Sequence, residues 1–176
     1  MCFTTYQNLS RYIDIICNFA KRYIMATDYS NGYSGLAVAD YFIEKAIGES
    51  KTITNMSVLK MIYFVQGFGF QILNRRLISD EFYAWQWGPV SKEVYYTFQK
   101  YGSSSISSPS NQKTKELEDI KKHSEITEIL DKIYKLRGIN PFVLSEKTHV
   151  PGGPWSRTEP YQKIDVDLIR NFFSQP

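Results

Sequence analysis

VLKMIYFVQGFGFQILN, residues 58–74, followed at 82–90 by FYAWQWGPV, is the stretch whose reading decides the fold. Between Ser57 and Asn74 apolar side chains (Val58, Leu59, Met61, Ile62, Tyr63, Phe64, Val65, Phe68, Phe70, Ile72, Leu73) point in nearly every direction around a helix. A helix apolar all round belongs in a core. Its remaining positions Lys60, Gly67, Gln71 and Asn74 form one narrow stripe, expected to be the only face that meets water or a polar partner. A run of about 18 residues sits at the short limit for a bilayer span. Its aromatic content and the polar Lys60, Gln66 and Gln71 within it favour a central core helix, and no membrane role is expected.

Working outward, residues 77–87 look extended and aromatic, and predict a small β-hairpin. Pro89 restricts Gly88 before it, which predicts a sharp corner between that hairpin and a helix capped by Ser91. This helix, Lys92 to Tyr101, sets Val94, Tyr95, Phe98 and Tyr101 on one side and stops at Gly102. Upstream, Ser34 caps a helix carrying Leu36, Val38, Ala39, Phe42, Ile43, Ala46 and Ile47, with Gly48 as its stop. Thr54, Asn55 or Ser57 caps the central helix, and Arg75 and Arg76 lie at its end, where the helix dipole favours cations.

Downstream, the serine-rich 103–114 segment reads as a flexible surface loop. Residues 115–137 are helical, with Ser124 capping a fresh helix and Gly138 ending it. Asn140 and Pro141 start a short helix reaching His149. Val150-Pro151-Gly152-Gly153-Pro154-Trp155 is a rigid loop, and Asp165 caps a last helix with Ile169, Phe172 and Phe173. The sum is a mainly α fold, six to seven helices around a buried central helix with one small β-hairpin. Residues 25–176 are expected to form a single domain. Residues 1–24 contain an apolar patch, Tyr12 to Cys17, broken by Asp14, with no basic residue before Arg11; neither a signal peptide nor a span is expected there. That segment is either an accessory extension or precedes a start at Met25.

A chain of 176 residues buries about 70% of its extended surface and needs no metal or disulfide to fold. A net charge of +3, from 21 basic and 18 acidic residues, falls short of the concentrated basic face of a dedicated nucleic-acid binder. Cys2 and Cys17 have no metal-binding spacing, and a reduced, cytoplasmic setting is expected. Thirteen Tyr, eleven Phe and three Trp exceed what the core needs, so some rings should lie on a binding surface, where Tyr and Trp are favoured.

Catalytic patterns are missing: no glycine-rich phosphate loop, no paired His at helix spacing, no Cys near a His, no nucleophile elbow. No catalytic residue, metal or cofactor is assigned. His149 at a helix C-terminus is read as bonding a last carbonyl, and His123, among lysines, as solvated surface. Lys60 is read as carrying its ammonium along its stem to water or a carboxylate, against a desolvated, nucleophilic alternative. Trp85 and Trp87, on a proline-stiffened corner, read as an interface, because rings held rigid lose little entropy on binding.

In order along the chain, Val58 to Gly67 (with Lys60, Tyr63, Gln66 and Gly67), Ala84-Trp85-Gln86-Trp87-Gly88-Pro89-Val90, Val94-Tyr95, Leu144 to His149, Pro154-Trp155 and Ile169 to Phe173 resemble the Panacea domain. This is the SocA-like antitoxin family, whose phage-borne members are called phage-associated proteins. The resemblance covers about residues 34–173 and implies a mostly helical fold with a hairpin. It further implies an antitoxin of a toxin-antitoxin or phage-defence pair, neutralising a cognate protein toxin by direct contact. It admits a cytoplasmic protease or chaperone as a second partner, in the manner of a proteolytic adaptor, and a homo-oligomer. Trp85, Trp87, Tyr95, Tyr96 and Trp155 are the expected partner-binding rings, with the 103–114 loop beside them. A DNA-binding autoregulator using Arg75, Arg76 and Lys92 is the alternative, and an enzyme requires Lys60 and His149 to converge in a pocket.

Overall fold

The computed structural model describes residues 32–174, and the extension at 1–24, the start at Met25 and both cysteines lie outside them. Seven α-helices are described: α1 Gly35–Gly48, α2 Asn55–Leu73, α3 Lys92–Phe98, α4 Thr114–Lys122, α5 Ser124–Tyr134, α6 Pro141–Thr148 and α7 Val166–Phe173. A two-stranded antiparallel sheet, β1 Phe82–Trp85 and β2 Gly88–Ser91, separates α2 from α3. The mainly α expectation with one hairpin holds.

Side-chain caps start the helices where the sequence places them. Ser34 Oγ accepts from Leu36 N at 3.2 Å, Thr54 Oγ1 from Ser57 N at 3.3 Å, Ser91 Oγ from Val94 N at 3.4 Å, Asn140 Oδ1 from Phe142 N at 2.9 Å and Asp165 Oδ1 from Asp167 N at 2.8 Å. Each satisfies a backbone donor the first helical turn cannot. Four ends differ from expectation. Helix α3 gives way at Phe98 to a 3-10 turn, Gln99–Tyr101, and α5 gives way at Tyr134 to another, Lys135–Gly138. Gly48 stays inside α1, and Ser50 at φ 54° takes the left-handed turn. His123, not Ser124, separates α4 from α5, and it caps with no side-chain bond.

Helix α2 is the centre, packed against α1, α3, α5, α6, α7 and β2. Fifteen of its nineteen residues are buried, so although it is long and apolar enough to cross a membrane, its surroundings are those of a core helix. The expected polar stripe is not a wet face: Lys60 is buried, Gly67 is covered by the Phe173 ring, and of its four positions Gln71 and Asn74 alone are open to solvent. Gly67 has no side chain because none fits. Phe173 fills that place and meets Tyr63 edge-on at 5.8 Å and Phe68 at 6.0 Å. Asn74 at φ 51° ends α2 in the left-handed conformation.

The hairpin lies later in the chain than its aromatic content suggests. Gly88-Pro89 belongs to β2, paired with Ala84 and Trp85, and the turn itself is Gln86-Trp87. Pro89 is tolerated because Ala84, opposite it, turns both backbone groups to the other edge, its O accepting from Tyr161 N at 2.7 Å and its N–H donating to Gln162 O at 2.9 Å, so no donor is demanded of the proline. Residues 161–164 thus line the other edge of β1, with Tyr161 N donating to Ala84 O at 2.7 Å and Ile164 N to Phe82 O at 2.8 Å. Asp80 ties this unit to α1, accepting from Gly35 N at 2.8 Å and from the Ser91 hydroxyl.

The 103–114 segment is also held more firmly than its serine content implies. Ile106 is buried and donates to Ile53 O at 2.8 Å. The carboxylate of Asp40, itself 1% exposed, accepts from Ser110 N at 2.7 Å, Ser110 Oγ at 2.7 Å and Asn111 N at 3.0 Å. Bonds to an ionised acceptor are the stronger kind. Asp40→Ala is therefore expected to cost about 2–4 kcal/mol in urea unfolding and to speed proteolysis within 103–114. Unchanged cleavage there would show that the loop does not depend on this carboxylate.

Candidate functional site

The hairpin turn is organised by side chains that reach its backbone from three other elements. Trp155 Nε1 donates to Trp85 O at 2.9 Å, His149 Nε2 lies 3.3 Å from Gln86 O, Ser145 Oγ donates to Trp87 O at 2.8 Å, and Lys60 Nζ donates to Pro89 O at 3.0 Å. Four carbonyls between Trp85 and Pro89 are thus engaged by α2, α6 and the loop before α7. Engaging these carbonyls removes alternatives the turn would otherwise sample. His149 is oriented by Ser145 O, 2.6 Å from Nδ1, and its ring meets Trp155 edge-on at 3.8 Å. Both ring nitrogens face carbonyl oxygens, Ser145 O and Gln86 O, which gives the histidine a positioning role at the turn.

Several residues singled out in the sequence meet at this turn. Gly88, at φ 97°, lies against Thr148 Oγ1 and Lys60 Nζ, with room for neither a Cβ nor an L-residue's dihedral. Val90 and Pro154 are buried. Tyr63 and Gln66 stand further along α2: Tyr63 packs on Phe82 at 5.5 Å, and Gln66 Oε1 accepts from Ile78 N at 2.7 Å. Burial raises the Tyr63 phenol above its ordinary range.

The reading of Lys60 is corrected. It does not run its ammonium out to water: the residue is 1% exposed, and among the described residues no carboxylate comes within ion-pair distance. Burial lowers its amine from 10.5 to about 7, because a low-dielectric site disfavours the charged form.

With its backbone held, the turn presents rings to solvent. Trp87, Tyr96, Phe142 and Tyr161 are 55%, 57%, 58% and 63% exposed. Trp87 meets Phe142 at 5.7 Å, and half-buried Trp85 meets Tyr95 at 4.8 Å and Tyr96 at 6.3 Å. Beside Trp85, Trp87, Tyr95 and Tyr161 opens a cleft of about 400 Å³, whose walls also include Met56, Leu59 and Val90, with Asn55, Lys60 and Gln99 among its polar residues. Phe142 and Tyr161 were missed in the sequence. Phe142 sits in the first turn of a short helix, and Tyr161 in a polar stretch, so neither carries a periodic signal. Trp155, expected on the interface, is half-buried with its indole N–H engaged.

Lys60 borders the cleft but His149 is not among its walls, so the two do not converge as an enzyme would need. Among the described residues no three His, Cys, Asp or Glu side chains gather as a metal site would require. The cations considered for DNA are engaged with the fold: Arg76 donates to Ile78 O, Ser79 O and Asp80 O and pairs with Glu81 at 3.6 Å, and Lys92 Nζ lies 3.5 Å from the Tyr83 ring centre. His123, read as solvated, is partly buried between Asp119 and Glu125. The aromatic face is thus suited to holding apolar side chains of another protein.

The family model for the antitoxin SocA-like, Panacea domain matches residues 58–156, which run from α2 through the hairpin to the indole of Trp155. Antitoxin SocA of Caulobacter vibrioides is 28% identical over 130 residues, covering 68% of this chain and 66%, just under two thirds, of that protein. No solved structure matches the chain.

Proposed function

The chain belongs to the SocA-like, Panacea-domain family, and from that premise we propose that it is an antitoxin which neutralises a cognate protein toxin by direct contact. The aromatic face around the hairpin turn is the docking surface, acting in the cytoplasm and without chemistry of its own. The observation that carries this reading is four large exposed rings, Trp87, Tyr96, Phe142 and Tyr161, set around a turn whose carbonyls are held from elsewhere in the fold. Rigid exposed rings are what binding hot spots are made of, because they bury much area at little entropic cost.

The test is co-expression with the toxic product of an adjacent reading frame. Trp87→Ala and Phe142→Ala are expected to weaken toxin binding by about 30-fold each, the equivalent of roughly 2 kcal/mol per hot-spot ring. Stability should move by less than about 1 kcal/mol, since both rings are exposed. A folded double variant that still protects cells would remove this face from the mechanism. Toxin half-life in protected cells separates occlusion from delivery to a protease: occlusion leaves it unchanged, delivery shortens it.

A further inference from the structure

Among the described residues bordering the cleft, Lys60 is the one charged side chain, and no aspartate or glutamate lines it. The titratable neighbours in that lining are Tyr95 and Tyr161. An ammonium has three donors, and Lys60 Nζ uses one, on Pro89 O at 3.0 Å. A second polar group in the same wall lacks a partner: Asn55, 5% exposed, has Oδ1 without a hydrogen bond, while its Nδ2 reaches Tyr95 O at 3.4 Å. Buried polar atoms are seldom left unpaired, and those that are point to a function or a ligand. The remaining walls, Met56, Leu59, Val90 and the rings, are largely apolar.

We propose that this cleft receives an aspartate or glutamate side chain of the toxin, its carboxylate on Lys60 Nζ, a neighbouring backbone N–H on Asn55 Oδ1, and apolar flanking residues on Met56, Leu59 and Val90. The inference rests on the antitoxin reading and gives its docking surface a chemical specificity. Charge complementarity favours an acidic protein segment over nucleic acid, which would need several cations together rather than one amine among apolar walls. Burial holds the free amine at about 7, so an entering carboxylate stabilises the charged form that the empty site disfavours. Such a site also discriminates: an amide of the same shape leaves the amine uncompensated.

The experiment titrates the full chain, by calorimetry, with three N-acetylated heptapeptides. One is C-amidated with a central glutamate between leucines, the second carries glutamine in its place, and the third is the glutamine peptide with a free C-terminal carboxylate. The glutamate peptide is expected to bind at least about tenfold more tightly than either glutamine peptide, and Lys60→Met to abolish the preference. In cells, Lys60→Met should lose protection against the toxin while remaining folded. Equal affinities, preference for the free C-terminus, a preference surviving in Lys60→Met, or no binding of any peptide at about 1 mM would each overturn the proposal. A wild-type chain that fails to protect removes the antitoxin reading and the toxin as occupant. Protection by both wild type and Lys60→Met removes the carboxylate site alone.

Discussion

Gly88→Ala should lower the melting temperature by roughly 10 °C or more. Two effects add. At φ 97° an alanine is strained, at about 1–2 kcal/mol for a side chain on the left-handed side of φ. Its Cβ would also press on Thr148 Oγ1 and come within 2.9 Å of Lys60 Nζ. Neither atom is free to retreat, because Thr148 Oγ1 donates to Ser145 O at 2.7 Å and Lys60 Nζ to Pro89 O at 3.0 Å. Overpacking of this kind costs about 1–3 kcal/mol, and for a domain of this size each kcal/mol is worth about 2–4 °C. Gly102→Ala is the control: φ is 54° there too, but an added Cβ meets nothing, so only backbone strain should register. Calorimetric melting of both variants checks this, and equal midpoints would mean that the Lys60–Thr148 contact imposes no constraint.

Lys60→Met should stabilise the protein at neutral pH, by roughly 2–4 kcal/mol. The amine is held at about 7 in the fold against 10.5 in the unfolded chain. Between those values the unfolded chain holds a proton that the folded chain does not, so wild-type stability rises with pH across this window and is lowest below it. The displacement is worth about 5 kcal/mol, and leaving Pro89 O without its donor returns about 1–3 kcal/mol of that. The variant's advantage is fully present below about pH 7, shrinks as pH rises from 7, and reverses toward pH 10.5, where only the lost hydrogen bond remains. Urea unfolding of both chains at several pH values measures it, and the buried tyrosines, common to both, cancel in the difference. Parallel profiles, with the variant less stable throughout, would show that burial does not disfavour this ammonium. A stability cost retained at a cleft wall is what a binding site exhibits, since the partner's carboxylate would relieve it.

Local signals in the sequence were read correctly where their cause is local. Ser34, Thr54, Ser91, Asn140 and Asp165 cap helices because a short polar side chain beside a helix start satisfies a donor within three residues. The all-round apolar pattern of residues 58–70 needed no neighbours to identify a core helix. Where the cause lies across the fold, the reading failed. Serines 103–110 read as a mobile loop because Asp40, which binds Ser110, is seventy residues away. Gly88-Pro89 reads as a corner after the hairpin, and not as its second strand, because a strand admits the proline only where Ala84 opposite bonds Tyr161 N and Gln162 O on its far edge.

The same division runs through the candidate site. Composition and pattern alone determined a helical fold around residues 58–74, an aromatic excess beyond the needs of a core, and a tryptophan-rich hairpin next to the central helix. Whether a given ring faces water is a question of what covers it, and Trp155 was drawn inward by Trp85 O while Phe142 and Tyr161 were left open. The fate of Lys60 was decided in the same way. A lysine's hydration depends on what neighbouring elements pack around its stem, and here β2 and the end of α6 pack beside its ammonium, turning an ordinary cation into a buried amine at the edge of a cleft.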